Sequence, residues 1–327
     1  MTSTSAKIAI KASDFLSKRR GFYLFKLLLS FAILSYLVSH LQPRQLLATL
    51  RTAQPGALTL ACGLLPLNLG LQFLKWHYLL RSASRASITP RHSFHSLMAG
   101  FPLGLLTPGR WGELGRAFFL PQLNERKTMV LAAFEKVFDL HVSLVFGVFA
   151  LLFLVNKNFL PQELLAPLLA LLLLSAALLV FAFQPAVLKR LARPFEKRAP
   201  AKRSALRVLG RLSRKNLTVL WLLSCGFALV YSMQFVLLLR GFVDVSFMTG
   251  FAGVSAAFLA KSLLPISLGD LGVREGAAAF FFARMGVSPQ AAFDASLLLF
   301  LINLLTPSLL GMVLVWKHKS HKAASKT

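Results

Sequence analysis

Acidic side chains are scarce in this sequence. Eleven Asp and Glu stand against 37 Lys and Arg in 327 residues, and charged residues of both signs make up only 15%. A typical soluble domain carries about 25%, so a chain of this length lacks the charge to clothe a water-facing surface. Cysteine is rarer still: Cys62 and Cys225 each sit inside an apolar run, which excludes a disulfide framework or a cysteine metal site. His92 and His95 lie three apart without a carboxylate or cysteine companion and read as an interfacial pair, not as zinc ligands. Phosphate loops, nucleophile elbows and H-E-x-x-H helices are missing, which argues against an enzyme and leaves no cofactor or metal to expect.

What is present is apolar. Hydrophobic residues make up 56% of the chain, mean hydropathy is +0.65, and these residues come in long blocks. Such blocks indicate a membrane protein, and 1–327 reads as a single membrane domain. The net charge of +26 does not imply a nucleic-acid partner, because no basic patch on a soluble module is visible. The basic residues gather instead in the N-terminal tail, in a loop bearing Arg81, Arg85 and Arg91, in a linker over 184–216 and in the C-terminal tail. The positive-inside rule places all four on the cytoplasmic side of an inner membrane, with both termini cytoplasmic. The linker also suits anionic headgroups, since its Lys and Arg alternate with Leu and Val.

Six apolar runs are long enough to span a bilayer: 22–41, 56–80, 129–155, 163–183, 217–240 and 290–316. The first follows Lys18-Arg19-Arg20 and is too long for a signal-peptide core, so it reads as a retained helix. Two further stretches, 93–121 and 247–288, are broken in the middle and have flanks on one side only, so each reads as a re-entrant hairpin. The breaks resemble one another: Pro108-x-x-x-Gly112-Glu113-Leu-Gly115 and Pro265-x-x-x-Gly269-Asp270-Leu-Gly272. The expected fold is therefore an all-α polytopic membrane protein of about six spanning helices and two re-entrant hairpins. A first repeat covers 22–155 and an inverted second repeat covers 163–316, since three crossings per unit force inversion.

Six of the eleven acids fall in membrane elements: Glu113, Glu135, Asp139, Asp270, Glu275 and Asp294. Charge is costly there, so each is a functional candidate, with helix-to-helix salt bridging as the competing use. Arg110, Glu113 and Arg116 recur every third residue, on one face of a helix that Pro108 can start and that Gly112 and Gly115 let approach its neighbours. A helix start beside two arginines suits a phosphate. In the second break, Asp270 and Arg274 are four apart and can pair, leaving Glu275 as the spare charge after Ser267, Gly269 and Gly272. Glu135 and Asp139 share a helix face directed at the first hairpin, Lys136 can snorkel to the interface, and Lys261 is a further anion contact. Asn68, Gln72 and Asn303 suit the role of polar glue between helices.

Pro108-x-Arg110-x-Gly112-Glu113-x-x-Arg116, then Glu135-Lys136, then Pro265-x-Ser267-x-Gly269-x-x-Gly272-x-Arg274-Glu275-Gly276 together resemble the lysylphosphatidylglycerol synthase transmembrane region, or flippase-like, family. Lys136 departs mildly, since an arginine is common near that position in the family. Members fused to a cytoplasmic aminoacyl-transferase domain make and move lysyl-phosphatidylglycerol, and stand-alone members are linked to translocating lipids or polyprenyl lipids. The sequence ends soon after its last apolar run, so the resemblance implies the flippase part alone, with Arg110, Glu113, Arg116, Arg274 and Glu275 at the motif positions. The expected function is flipping of an anionic phospholipid or polyprenyl-phosphate-type lipid. The alternatives are a secondary transporter of a small soluble anion, or a membrane-embedded lipid-modifying enzyme or accessory subunit. Membrane lipids are the expected partners, with a homodimer or a lipid-synthesis partner as further candidates.

Overall fold

The computed structural model describes residues 51, 53–84, 87–107, 109–120, 122–182, 208–264 and 269–314. The chain divides into two compact units, Met1–Thr52 and Ala53–Thr327, and the elements described below belong to the second. The predicted first span, the basic linker as far as residue 207, and Pro108, Pro265 and Ser267 lie outside the described residues.

Among the described residues the architecture is all-α, without a strand. Four helices are long and apolar enough to cross a membrane: Pro55–Ala83, Glu125–Asn156, Arg214–Arg240 and Pro289–Leu314. They coincide with four of the six spans read from hydropathy, and the protein is a multi-pass membrane protein. Pro55–Ala83 is interrupted at Leu64, between α1 (Pro55–Gly63) and α2 (Leu65–Ala83), where Pro66 sits in the first turn of α2. The fourth span begins as α9 (Pro289–Phe300) and widens into a π-turn over Leu301–Leu305. Pro307 explains the widening: it lacks an N–H to give to Asn303 four residues back, and its ring crowds that carbonyl.

Between α2 and α4 (Glu125–Asn156) the chain forms a hairpin. Its first arm is α3 (Pro90–Leu105), capped by the Thr89 hydroxyl, and its second is a 3₁₀ helix over Trp111–Phe119. The arms have 16 and nine residues, each below the ~20 a membrane crossing needs. Nine residues is long for 3₁₀ geometry, which seldom exceeds three or four. Close packing of the arms accounts for it. A Cβ on Gly112 would strike the Leu103 carbonyl, and one on Gly104 would lie 2.6 Å from Glu113 Cγ. Gly112→Ala is therefore expected to destabilise the protein by ~1–3 kcal/mol, whereas Gly70→Ala, with nothing within 4 Å, should not. Thermal unfolding in detergent of the two variants checks this.

After α5 (Leu165–Ala182), α6 (Arg214–Arg240) starts with a capping box between Ser213 and Asn216. A second hairpin follows: α7 (Phe247–Leu263), a break, and α8 (Val273–Arg284), which pack against each other, with α8 also packed against α9. The main core lies among α6, α7, α8 and α9, where Phe235 and Phe282 stack with centroids 5.7 Å apart. Close contact of Gly147 with Leu259 fastens α4 to α7.

The two breaks share a backbone device. Gly109 and Arg110 both have positive φ, 57° and 58°, and so do Gly269 and Asp270, at 58° and 64°. Conformation thus pairs Gly109-Arg110 with Gly269-Asp270, three residues ahead of the correspondence given by the letters, which pairs Gly112-Glu113 with Gly269-Asp270. A left-handed arginine carries a backbone cost of about 1–2 kcal/mol, of the kind that collects at functional sites.

Candidate functional site

The 3₁₀ geometry arranges the first motif. Residues three apart eclipse on a three-residue turn, so Glu113 and Arg116 stand in line behind Arg110, the residue that begins the segment. Arg110 pairs with Glu113, and Lys136 Nζ on α4 lies 2.8 Å from the other Glu113 oxygen. Lys136 therefore points at the hairpin and does not snorkel away. Arg116 is buried against Glu135 of α4 and has its guanidinium 3.7 Å over the Trp76 ring. Its main-chain carbonyl accepts a hydrogen bond from Ser96 of α3, at 2.9 Å.

Lys75 is the residue that the intramembrane acids did not reveal. It is 1% exposed, and its amine sits 2.5 Å from Asp139 and 3.5 Å from Glu135. Asp139 also accepts from Ser224 of α6 at 2.8 Å. Lys75, Glu135 and Arg116, all buried, and the half-buried Asp139 thus form one group of two cations and two carboxylates. A lysine between Leu74 and Trp76 in an apolar run was the available signal, because cations inside a bilayer are as anomalous as acids.

In the second hairpin the pairing differs from the expected one. Asp270 pairs with Lys261 at 3.0 Å, so Lys261 already has an anion of its own. The i, i+4 pairing of Asp270 with Arg274 requires both on one helix, but Asp270 lies in the left-handed turn and α8 begins at Val273. Arg274 pairs with its neighbour Glu275 and donates to Ser296 at 3.0 Å. Glu275 is not a spare charge either: it also accepts from the Gly272 N–H at 2.7 Å, closing the start of α8. Gly272 holds φ 84° there.

A cavity of about 300 Å³ gathers most of these groups. Arg110, Glu113, Arg116, Glu135, Lys136, Asp139, Lys261 and Asp270 all line it, joined by Lys75, Gln72, Ser224, Tyr231 and Ser255, which the sequence reading did not assign to a site. The buried Arg274–Glu275 pair lies outside the lining and serves the packing of α8 on α9. Gly112 and Gly115 shape the wall by letting the 3₁₀ segment approach Leu103. The Nε atoms of Arg110 and Arg116 and the hydroxyl of Ser255 are buried without a hydrogen-bond partner. Trp111, Val137 and Leu140 form an apolar part of the lining and are 58%, 56% and 48% exposed.

The first hairpin motif and the Asp270 turn of the second reach a common cavity. A family model described as the Lysylphosphatidylglycerol synthase TM region covers residues 23–311. The chain belongs to this family. No curated protein and no solved structure matches it. Membership of the lysylphosphatidylglycerol synthase transmembrane family supports a lipid-related role in the membrane, and the match takes in both hairpins and every residue of the cavity lining.

Proposed function

We propose that this protein translocates an anionic lipid across the inner membrane, holding the headgroup in the cavity while the acyl chains remain in the bilayer. The observation that carries the reading is the composition of the lining. Guanidinium and ammonium groups from two hairpins and two helices converge on one cavity, and two guanidinium Nε donors there lack a protein partner. Forked guanidinium donors suit phosphate oxygens. The exposed apolar rim at Trp111, Val137 and Leu140 supports a lipid over a soluble anion, because only a tailed substrate needs an apolar exit beside the polar chamber.

The protein acts as a carrier and not as an enzyme in this reading. The hairpins are re-entrant elements of two inverted repeats, entering from opposite sides, with both termini cytoplasmic, and transport proceeds by rocking one repeat against the other. Partners other than lipid are not required by it.

Reconstituted vesicles containing an acyl-labelled anionic phospholipid, read by bleaching of the outer leaflet, test the proposal. The informative variant is Arg110→Asn, since asparagine tolerates the left-handed backbone while removing the guanidinium. Wild-type protein is expected to expose inner-leaflet lipid, and Arg110→Asn to slow this by roughly tenfold or more, the scale of one lost charge-assisted contact. Uptake of a soluble anion by folded protein that moves no lipid would overturn the reading.

A further inference from the structure

Resting on the translocation reading, we infer that the cavity is matched to a lipid bearing one negative charge, a phosphodiester of the glycerophospholipid kind, and discriminates against a phosphomonoester dianion. Among the described residues of the lining there is one more cation than acid: Lys75, Arg110, Arg116, Lys136 and Lys261 against four carboxylates. Every carboxylate has a cation within ion-pair distance.

The surplus has a definite place. Lys75 and Arg116 balance Glu135 and Asp139, and Lys261 balances Asp270. Arg110 and Lys136 share Glu113, and the other acid near Arg110 is Asp270, which Lys261 already pairs. The unbalanced positive charge therefore lies where the 3₁₀ segment meets α4, beside the exposed apolar side chains of Trp111 and Val137. A headgroup entering there with its tails in lipid would meet that charge first. Two donors are held ready: the Nε atoms of Arg110 and Arg116 have no partner, and Arg116 is only 6% exposed.

Uncompensated charge in a low-dielectric chamber costs several kcal/mol per ion. A monoanion brings the lining to neutrality. A zwitterion leaves it at plus one, and a dianion takes it to minus one, so both are penalised. A phosphate monoester has a second ionisation that a phosphodiester lacks, so in alkaline buffer phosphatidic acid approaches a dianion while phosphatidylglycerol carries a single charge.

The test uses vesicles of phosphatidylcholine with trace acyl-labelled phosphatidylglycerol, phosphatidylcholine or phosphatidic acid, at pH 8, with outer-leaflet bleaching as the readout. Wild-type protein is expected to move phosphatidylglycerol at least ~10 times faster than the other two. Lys136→Gln, which brings the lining to neutrality, should shift the preference to phosphatidylcholine, with phosphatidylglycerol now the slower of the two by roughly tenfold. Glu113→Gln, which raises the surplus to two, should reverse the wild-type order, with phosphatidic acid now faster than phosphatidylglycerol by roughly tenfold. The two variants alter opposite sides of the balance, so either suffices if the other fails to fold. Equal wild-type rates for the three lipids, or unchanged ratios in a folded variant, overturn the charge matching and leave translocation standing. Movement of no lipid by folded wild-type protein removes translocation itself, and this inference with it.

Discussion

Lys75→Met is expected to destabilise the protein by ~3–5 kcal/mol, the range for removing one partner from a buried ion pair. The amine is 1% exposed and holds Asp139 at 2.5 Å and Glu135 at 3.5 Å. Without it, three groups remain, Arg116, Glu135 and Asp139, and the two carboxylates are left facing one guanidinium. Ser224 donates to Asp139 but brings no charge. The size of the loss reflects stranded carboxylates and not the value of the pair, so Lys75→Met combined with Asp139→Leu should recover most of it. Glu135 keeps Arg116 in that double variant. Thermal unfolding of the two single variants and the double variant completes the cycle. If Lys75→Met unfolds at the wild-type temperature, the four-residue charged group is not the support of α2 against α4 that the geometry implies. Lys75 also lies over Phe227 at 5.2 Å, and methionine retains most of that apolar contact, which makes it a cleaner replacement than alanine.

Hydropathy made the spans legible because the bilayer sets their length, and four of the five predicted spans within the described residues meet that length without help from tertiary structure. The breaks were legible because proline, glycine and an acid in an apolar run have few other uses. What sequence could not supply is partnership across the chain. Lys136 could reach the interface or a neighbouring element, and only the position of the 3₁₀ segment decides for Glu113. The every-third spacing of Arg110, Glu113 and Arg116 was read on an α-helical face, where such residues drift around the axis. On a 3₁₀ helix they align, and that choice follows from the clearance between Gly112 and Leu103, a contact between arms. Asp270 and Arg274 illustrate the same limit, since a spacing rule holds only inside one helix and Asp270 falls before its start. Lys75 was missed for a different reason. Attention to the scarcer sign of charge passed over a cation in the middle of an apolar run, although the cost of burial is indifferent to sign.

Gln234 separates scaffold from site. It is fully buried on α6 and joins both irregular helices beside it. Its carbonyl oxygen accepts from Asn68 of α2 at 3.1 Å and from Asn303 in the π-turn at 3.0 Å, and its amide donates to the Ala61 carbonyl of α1 at 2.9 Å. Asn68 and Asn303 are therefore the interhelical polar groups their positions suggested, with Gln72 donating to Asn68 at 2.7 Å, and Gln234 is the member that connects them. The helices so connected are those interrupted by Pro66 and widened by Pro307, where backbone bonding is weakest. Gln234→Leu strands two amide donors and a carbonyl. Hydrogen bonds between membrane helices are worth ~0.6–1.7 kcal/mol each, so three should cost roughly 2–4 kcal/mol in thermal unfolding. None of the three amide side chains lines the cavity. The folded fraction of Gln234→Leu should accordingly keep the wild-type ratio of phosphatidylglycerol to phosphatidic acid movement, while Lys136→Gln changes that ratio with little loss of stability. A Gln234→Leu protein that stays as stable as wild type would show that the two interrupted helices hold without this junction; one that stays folded but loses the ratio would place the junction in the transport path.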